Sequence, residues 1–357
     1  TETPQKSFWA LGGDANGAMY GGLQIAENIK FNQFTGSYNN EESPAILKRG
    51  LKLNFPLDKN SATYDTLNKV GDAARKAIPH VWDLAFWATW FDEMARNRYN
   101  VVSVWNNHPF TSMIKLPDYP DVAIQDVTDF DGKKKTLSID EKIAFWRKVM
   151  AYAHARGFEF YLFNWNIWTD GATGKYGITD DRAKAATSQA TIDYMRKCMT
   201  TLLETYPDLD GFGVTQGEHM SEDKAANSAF MGKTYGLGMA DYAKRHPERK
   251  LRFIHRWHMA DFSEMKSNFT ELMQLPNVTF DMSYKYSKAH MYATAVPTWM
   301  TDNEQNALRK NSLKSWQTVR NDGFYFNHWG DPDFARAYLK GLPGQGAWFR
   351  GFLMGSD

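Results

Sequence analysis

Residues 138–165 read SIDEKIAFWRKVMAYAHARGFEFYLFNW, and this stretch decides the fold. Its first part, Asp140–Arg156, has the apolar spacing of a helix, with Ser138 as a candidate N-cap and Gly157 at its end. Its second part, Phe158–Trp165, is a short aromatic and apolar run typical of a buried strand. A helix followed directly by a buried strand is the repeating unit of a parallel sheet with helices outside it.

The same alternation runs along most of the chain. Eight strand-like segments are separated by seven helical ones, which favours a closed (β/α)₈ barrel, or TIM barrel, over an open doubly wound sheet. The predicted strands are Arg49–Pro56, Tyr99–Trp105, Phe158–Trp165, Gly211–Thr215, Leu251–Ile254, Val278–Tyr284, Gly323–Asn327 and Ala347–Met354. The predicted helices are Trp82–Asn97, Asp140–Arg156, Arg182–Thr205, Glu222–Arg245, Phe262–Gln274, Asn303–Arg320 and Phe334–Leu339.

The pattern divides the chain into two parts. Residues 49–357 form the predicted barrel, which we expect to be truncated before its last helix because no helical pattern follows the eighth strand. Residues 1–48 fall outside the strand count, and we expect them to be the remnant of an N-terminal accessory α+β domain with its linker. Their glycine-rich loop, Gly12–Gly17, lacks the spacing of a phosphate-binding motif and is interpreted as a turn that begins a helix.

Composition narrows the function classes. The 357 residues carry 42 Lys and Arg against 41 Asp and Glu, a net charge of +1, which argues against nucleic-acid binding. The single cysteine, Cys198, excludes a disulfide framework and a cysteine-based metal site. No apolar run is long enough to predict a membrane span. Aromatic residues reach 15%, with 13 Trp, 17 Tyr and 23 Phe, which indicates that some of them line a binding surface.

In a (β/α)₈ barrel the binding site forms at the C-terminal ends of the strands. Trp and His occur there beside Asn and Gln, and this combination is typical of sugar recognition: an indole covers the apolar face of a sugar ring while amides and imidazoles bond its hydroxyls. The alternative is that the aromatic residues only plug the barrel mouth. The candidate sugar-binding residues are Trp105, Asn106, His108, Asn164, Trp165, Asn166, Gln216, His219, His255, His258, Tyr284, His290, Asn327, His328 and Trp329.

Glu218 is the candidate general acid, because it follows the fourth strand and Gly217 and would project into the mouth. Glycoside hydrolysis needs a second carboxylate, and Asp331 is the candidate base. Asp333 is interpreted as a helix N-cap, and Asp281 is a further carboxylate within the sixth strand. Glu218 paired with a nearby cation, and Asp331 as an ordinary cap, are the structural alternatives.

A cationic set at the same end predicts an anionic ligand, such as a uronate or a sulfated sugar. Its members are Arg256, Lys285, Lys288 and Arg350. Charge balance with neighbouring acidic residues is the alternative. A metal-dependent hydrolase or lyase that uses the histidines is a second alternative, since His255 and His258 are three residues apart, but the sequence has no HExxH motif. We expect no metal and no other cofactor.

Three segments carry a resemblance to a known family. Residues 94–110 (MARNRYNVVSVWNNHPF), 211–220 (GFGVTQGEHM) and 289–292 (AHMY) resemble family 67 α-glucuronidases and, more closely, uncharacterised homologues from bacterial polysaccharide-utilisation loci. The resemblance implies a barrel preceded by an α+β domain, with Glu218 as general acid and with Arg256 and Lys285 facing the uronate. It supplies no counterpart for the family's base carboxylates, because His290 stands near one of those positions.

The sequence therefore predicts a glycoside hydrolase that acts on acidic (uronate-containing or sulfated) polysaccharide fragments. The resemblance implies inversion of configuration and a periplasmic or secreted location. The rival prediction is a non-catalytic carbohydrate-binding barrel, which would keep the aromatic floor but lack a second carboxylate near Glu218.

Overall fold

The computed structural model describes residues 7–34, 39–63, 76–217, 219–285, 302–320, 332–341 and 348–355. Eight parallel strands close into a barrel with helices between them, so the predicted (β/α)₈ fold is confirmed. Each strand pairs with its sequence neighbours in the barrel, and the first pairs with the last. The strands are β1 Lys48–Asn54, β2 Val101–Trp105, β3 Glu159–Trp165, β4 Gly211–Thr215, β5 Leu251–Arg256, β6 Val278–Lys285, β7 Ser315–Arg320 and β8 Phe349–Gly355.

The described helices pack outside the strands, apart from the first. They are α1 Ala15–Lys30, α2 Leu84–Arg96, α3 Ile139–Ala155, α4 Gln189–Thr205, α5 Lys224–Met231, α6 Leu237–Arg245, α7 Phe262–Asn268, α8 Asp302–Lys310 and α9 Pro332–Gly341. Shorter elements are the helical turns Ile78–Val81, Phe110–Met113, Ala185–Thr187 and Thr270–Met273, the π-helical turn Gly232–Gly236, and a small ladder of Val127–Thr128 with Lys134–Lys135. None of the helices in the described ranges is both long and apolar enough to cross a membrane.

The helix and strand of residues 138–165 have the structure that their sequence predicts. The Ser138 side chain accepts a hydrogen bond from the Glu141 N–H, and the Glu141 carboxylate accepts one from the Ser138 N–H, which completes a capping box. After α3, Gly157 adopts a φ of 74°, a left-handed conformation that glycine adopts without strain. The chain can therefore turn sharply into β3 and lay it against the helix.

The seventh strand differs from the prediction. The sequence pattern favours a helix over Asn303–Arg320 and a strand over Gly323–Asn327, whereas α8 ends at Lys310 and β7 spans Ser315–Arg320. Ser312 has a φ of 55°, which ends the helical path. The residues SWQTVR then pair in register with β6 and β8, with Trp316 inside the barrel and Val319 in the core outside it, as a strand requires.

The barrel interior is filled by side chains, as in other barrels of this type. Gly213 on β4 allows this packing, because a Cβ there would lie 2.1 Å from the Phe163 ring. The apolar interior cluster consists of Val101, Trp105, Tyr161, Phe163, Trp165, Ile254, Trp316 and Leu353.

Helix α1 lies under the N-terminal ends of the strands. The Asn16 amide donates to the Gly157 carbonyl (3.1 Å) and the Tyr20 hydroxyl donates to the Tyr99 carbonyl (3.4 Å), and both acceptors immediately precede strands. The helix therefore lies against the N-terminal ends of β2 and β3, at the end opposite to the predicted site. The assignment of residues 1–48 to an accessory domain remains a prediction.

An ion network closes the same end from inside. The Asp281 carboxylate accepts hydrogen bonds from Arg252 (2.5 Å), Trp316 (3.0 Å) and Arg350 (3.1 and 3.2 Å). The Tyr161 hydroxyl links the network onward, since Arg252 donates to it over 3.0 Å. The prediction that Arg350 lies at the mouth is therefore wrong: it is the second residue of β8, so it lies near the N-terminal end, and Asp281 is its structural partner.

The network ends in a second carboxylate. Glu159 accepts from the Tyr161 hydroxyl (2.7 Å) and from the Lys48 ammonium (2.6 Å). Burial acts to raise the pKa of Glu159, but Lys48, the Tyr161 hydroxyl and Arg252 together outweigh it, so the pKa lies below its ordinary value. Three cations and two carboxylates thus pair with one another under the barrel floor.

The outer faces of the barrel strands are buried to different extents. Residues on both faces of β2 and β4 are buried, whereas Leu51 on β1 and Phe352 and Met354 on β8 are only half-buried. A groove of about 800 Å³ runs beside these strands and is bounded by α1 and α9. The groove leaves part of the outer face of β8 uncovered.

Candidate functional site

The mouth of the barrel is formed by the interior-facing residues at the C-terminal strand ends. Side chains alternate along each strand, so the known interior residues identify the others on the same face. The interior residues at this end are Lys52, Asn54, Trp105, Trp165, Thr215, Arg256 and Lys285. Three of these seven described residues are cations, namely Lys52, Arg256 and Lys285.

Trp105 forms the floor of the mouth. Its ring stacks on Phe163 with the centroids 4.3 Å apart and an interplanar angle of 13°, and it lies 5.7 Å from the ring of Trp165. The Lys52 ammonium lies 4.6 Å and the Arg256 guanidinium 5.6 Å from its centroid. Trp105 is 1% exposed, so it supports the two cations and cannot offer a free face to a sugar ring.

Several polar atoms at this end are buried without a hydrogen-bond partner among the described residues. They include the Thr215 hydroxyl on β4, the Asn166 side-chain oxygen just after β3, and both side-chain polar atoms of Asn107 after β2. Buried polar groups are nearly always satisfied in native proteins, and exceptions mark sites where a ligand or water completes the bonding. The unpartnered atoms therefore favour a polar ligand at the mouth.

The backbone just before Glu218 is closely packed. A Cβ on Gly217 would lie 2.3 Å from the Asn166 side-chain oxygen, so glycine lets this amide approach the backbone closely. Asn166 adopts a φ of 60°, and its N–H donates to the Thr215 carbonyl over 2.9 Å. On the other side of residue 218, the ring of His219 is exposed and lies 5.6 Å from that of Trp168.

Four predicted site residues face the helices rather than the mouth, and their placement in the site is wrong. His108 bonds the Tyr194 hydroxyl (3.0 Å), and the Asn164 amide oxygen accepts from the Tyr235 hydroxyl (2.9 Å). His255 alternates with the interior residues of β5 and so contacts Phe269 at 5.4 Å on the outside. The fourth, Tyr284, alternates with the interior residues of β6, and its ring stacks on Trp257 at 5.7 Å.

Two predicted amides brace the loops of the mouth. The Asn106 amide donates to the carbonyls of Phe55 and Ser61, both at 3.0 Å, and its oxygen accepts from the His108 N–H at 2.9 Å. A ligand could reach Asn106 only by breaking these bonds, so its direct contact with sugar is not supported. Gln216 donates to the Met259 carbonyl at 2.9 Å, while its own side-chain oxygen is buried without a partner in the described chain.

The buried histidines are neutral. Burial lowers the pKa of His108 to about 3 and that of His255 to about 4. Both lie outside the barrel wall, whereas His258 is half-buried in the loop after β5, so these three side chains do not converge. Among the described residues no group of three or more His, Cys, Asp or Glu side chains could hold a metal ion.

A carboxyl that the sequence patterns do not mark lies in a loop at the same end of the barrel as the mouth. Asp170, in the loop after β3, is half-buried, and its pKa is raised to about 6 by burial and by Asp180, against the effect of a hydrogen bond from the Ala62 backbone. A carboxyl that titrates near neutrality is suited to proton transfer. No local motif reveals it, because its pKa depends on loops that meet only in the fold.

Seven predicted site residues lie outside the described residues: Glu218, Lys288, His290, Asn327, His328, Trp329 and Asp331. The last four are predicted by reference to a seventh strand at Gly323–Asn327, and that strand is Ser315–Arg320. Asp331 immediately precedes α9, and its role as a base remains a prediction.

Lys52, Asn54 and Thr215 are mouth residues that the sequence patterns did not single out. The signal for the first two was present, since Gly50, Lys52 and Asn54 alternate with leucines along β1 and so share its interior face. Thr215 ends β4 on the same face as the glycines of that strand. Of the predicted residues, Trp165, Asn166, Arg256 and Lys285 do lie at the mouth.

No protein-family model matches the sequence, and no curated protein matches it by sequence. Among solved structures, the chain is similar to a GH138 enzyme targeting the pectin rhamnogalacturonan II, with 21% identity and a TM-score of 0.76 over 96% of this chain and 38% of that one. A GH20 β-N-acetylhexosaminidase from Streptomyces coelicolor A3(2) matches at 13% identity and a TM-score of 0.48, covering 89% of this chain and 61% of that one.

A GH5_18 protein from Bifidobacterium longum matches at 11% identity and a TM-score of 0.48, over 86% of this chain and 69% of that one. At these identities the similarity shows the fold, and the GH138 match carries that conclusion. The chain spans 38% of the length of the GH138 enzyme. The GH138 enzyme therefore has the same barrel fold, and the resemblance to family 67 remains a prediction.

Proposed function

We propose that this barrel is a glycoside hydrolase that acts on acidic polysaccharide fragments, with Glu218 as the general acid. The observation that carries the proposal is the mouth itself: Lys52, Arg256 and Lys285 face inward at one end, beside buried polar atoms without partners in the described chain. Such an arrangement suits a hydroxyl-rich ligand with a negative charge. The pectin-targeting GH138 enzyme, which has the same barrel, supports this substrate class.

The proton-transfer roles follow from position in the sequence. Glu218 comes directly after Gly217 beyond the end of β4, and a glutamic acid at the C-terminal end of a barrel strand can donate a proton to the leaving sugar oxygen. Asp331 is the proposed base, and Asp170 is a second candidate because its pKa is raised to about 6. Inversion of configuration and a periplasmic or secreted location belong to the same proposal.

The test is a screen of acidic oligosaccharides with the wild type and with Glu218→Gln. Loss of general acid catalysis should lower the rate of hydrolysis by about 10²- to 10⁴-fold, while binding by calorimetry is kept. Glu222→Gln is the matched control, because Glu222 is four residues away, is exposed and pairs with Arg182 on the surface. A fully active Glu218→Gln enzyme would remove Glu218 from the mechanism.

The base is assigned by the same assay on Asp331→Asn and Asp170→Asn. The variant whose loss is restored by added azide or formate identifies the carboxylate that acts on water or on the sugar. Binding of acidic oligosaccharides without hydrolysis by the wild type would instead establish the carbohydrate-binding barrel. Activity that a chelator abolishes would establish the metal-dependent alternative.

A further inference from the structure

The backbone at Asn166 directs its side chain differently from the rest of β3. Trp165 faces the interior of the barrel, so strand alternation would send the next side chain outward to the helices. Asn166 instead has a φ of 60°, in the left-handed region, which asparagine adopts more readily than most residues. Its side-chain oxygen lies 2.3 Å from the point that a Cβ on Gly217 would occupy.

Gly217 shows on which side of the barrel wall this oxygen lies. Thr215 is an interior residue of β4, and Gln216 points outward, where its amide donates to the Lys224 carbonyl at the start of α5 over 3.2 Å. Alternation therefore places the absent side chain of Gly217 on the interior face. The Asn166 oxygen fills that space, directly beyond Thr215 on the same face of the mouth.

Thr215 contributes a second buried polar atom. Thr215 is 3% exposed and Asn166 is 2% exposed, and neither the hydroxyl of the first nor the side-chain oxygen of the second has a hydrogen-bond partner among the described residues. The two residues are joined, because the Asn166 N–H donates to the Thr215 carbonyl over 2.9 Å. Burying polar atoms without partners is costly, so native proteins keep them where a ligand completes the bonding.

The chemistry of the two atoms specifies what they bind. An amide oxygen only accepts, so Asn166 needs a group that donates, whereas the Thr215 hydroxyl can donate or accept. A carboxylate or a sulfate has no hydrogen to donate, but a sugar hydroxyl suits both atoms. Residues two apart on a strand are separated by about 7 Å. Hydrogen bonds of about 2.8 Å to hydroxyls of one sugar ring can bridge such a span.

We propose that Asn166 and Thr215 form a neutral subsite that hydrogen-bonds two hydroxyls of one sugar unit, and that Asn166 is its specificity-determining residue. This inference rests on the proposed function and names the feature of the substrate that this side of the mouth selects, a sugar unit with both hydroxyls free. Because the two protein atoms are buried, the subsite rejects a unit that lacks one of these hydroxyls or carries a methyl ether in its place.

The experiment measures the binding of galacturonic acid and glucuronic acid by calorimetry. It then measures derivatives of each in which one ring hydroxyl at a time is replaced by hydrogen or by a methoxy group. For the wild type, affinity should fall by about tenfold or more at two of the hydroxyls and by less than about threefold at the others. A wild type that binds neither parent sugar, or that tolerates the replacement of every hydroxyl, overturns the proposal.

Variants of the two residues assign the hydroxyls. Asn166→Gly suits the φ of 60°, and it should bind the parent sugar about as weakly as the wild type binds one deoxy derivative, with no further loss when that hydroxyl is removed. Thr215→Val should do the same at the other hydroxyl. Asn166→Asp keeps an accepting oxygen and should keep the discrimination. Unchanged discrimination in both Asn166→Gly and Thr215→Val overturns the proposal, and so does its loss in Asn166→Asp.

Matched controls make the same substitutions away from the subsite. Asn32 is exposed and has a φ of 52°, so Asn32→Gly repeats the backbone change at a distant position. Thr318 is a buried threonine whose hydroxyl bonds that of Ser283, so Thr318→Val repeats the loss of a hydroxyl. A loss of discrimination in either control as large as in the subsite variants overturns the proposal. Thermal unfolding is followed throughout, and Thr215→Val, which keeps the side-chain shape, decides the question if Asn166→Gly does not fold.

The subsite and the proposed function fail separately. In Glu218→Gln, the discrimination between hydroxyls should persist although hydrolysis is lost. Full hydrolysis by that variant would overturn the proposed acid and leave the subsite intact. A wild type that hydrolyses acidic oligosaccharides but tolerates the replacement of every hydroxyl would overturn the subsite and leave the proposed acid intact.

Discussion

The two ends of the barrel contain the same kinds of side chain and use them in opposite ways. At the N-terminal end, Arg252 and Arg350 both bond Asp281, and Lys48 bonds Glu159. At the C-terminal end, Lys52 and Arg256 share the face of an indole, and the Thr215 hydroxyl is buried without a partner in the described chain. The N-terminal end pairs its charged groups with one another, and the C-terminal end holds a buried hydroxyl that a ligand can bond.

This difference separates stability from function along one axis. Residues at the N-terminal end of a barrel of this type serve stability, whereas residues at the C-terminal strand ends bind and react. Substitutions at the bottom should therefore change the free energy of unfolding, and substitutions at the mouth should change binding. The following predictions test that contrast.

The largest effect is expected for Asp281→Ala. Asp281 is 1% exposed and accepts from three side chains, so its removal leaves two arginines without their shared carboxylate. Removing one partner of a buried ion pair costs about 3–5 kcal/mol. Urea unfolding followed by circular dichroism should show this loss, with unchanged sugar affinity in the protein that remains folded.

Asp281→Asn serves as the graded control, because it keeps an acceptor oxygen and loses the charge. Its stability should fall between those of the wild type and the alanine variant. The exposed pair of Arg182 and Glu222 provides the opposite control, and Glu222→Gln should leave the unfolding midpoint unchanged. Equal midpoints for Asp281→Ala and the wild type would show that the network is dispensable.

The second-largest expected effect is a loss of stability at low pH. The pKa of His255 is about 4 in the folded protein, below its ordinary value of 6.5, because the ring is buried. Between these values the unfolded chain binds a proton that the folded chain does not, so stability is complete above pH 6.5 and falls with acidification. The slope is up to about 1.4 kcal/mol per pH unit.

His255→Leu should flatten that decline, because leucine does not titrate and suits the contact with Phe269. His108, with a pKa of about 3, contributes a decline of the same sign that remains in the variant. Unfolding free energies measured from about pH 7 to about pH 4.5 give the comparison. An unchanged slope in His255→Leu would place the titrating group elsewhere.

A smaller effect is expected for Gly217→Ala. The new methyl group would lie 2.3 Å from the Asn166 side-chain oxygen, and Asn166 is 2% exposed. Overpacking a buried site costs about 1 kcal/mol or more. Asn166→Gly with Gly217→Ala should restore the stability, because glycine removes the clash and suits the φ of 60° at that position. A double variant no more stable than Gly217→Ala would show that the clash is not the cause.

How well the sequence predicts the two ends of the barrel depends on which physical property determines the position of each residue. The barrel follows from local patterns, such as the helix and strand of residues 138–165, where the cap, the glycine and the apolar period agree. The sequence misplaces the seventh strand because the spacing of apolar residues does not show where α8 ends and β7 begins. Both segments are rich in polar residues. Ser312, with its positive φ, carries no sequence signal for that boundary.

The candidate site is predicted less well because proximity to a strand end does not fix the side chain's direction. His255 and Arg256 are neighbours at the end of β5, and alternation sends the histidine to the helices and the arginine into the mouth. A strand boundary wrong by one residue reverses such an assignment. Arg350 shows the second limit, since it starts β8 and so lies at the end opposite to Arg256.

The smallest effect on stability, and the sharpest test of the contrast, is expected for Thr215→Val. Valine has the same shape and lacks the unpartnered hydroxyl, so the free energy of unfolding should stay within about 1 kcal/mol of the wild type or rise. Affinity for the charged sugar should fall by about three- to tenfold, as the loss of one hydrogen bond predicts.

Thr318→Val is the matched substitution at a satisfied position. Thr318 is also a buried threonine inside the barrel, but its hydroxyl bonds that of Ser283 over 3.0 Å. Its loss should cost about 1 kcal/mol of stability and leave sugar affinity unchanged. The contrary outcome is that Thr215→Val destabilises the protein as much as Thr318→Val does and binds sugar normally. In that case the Thr215 hydroxyl stabilises the fold and does not bind sugar, and the proposed division between a stabilising end and a binding end of the barrel is wrong.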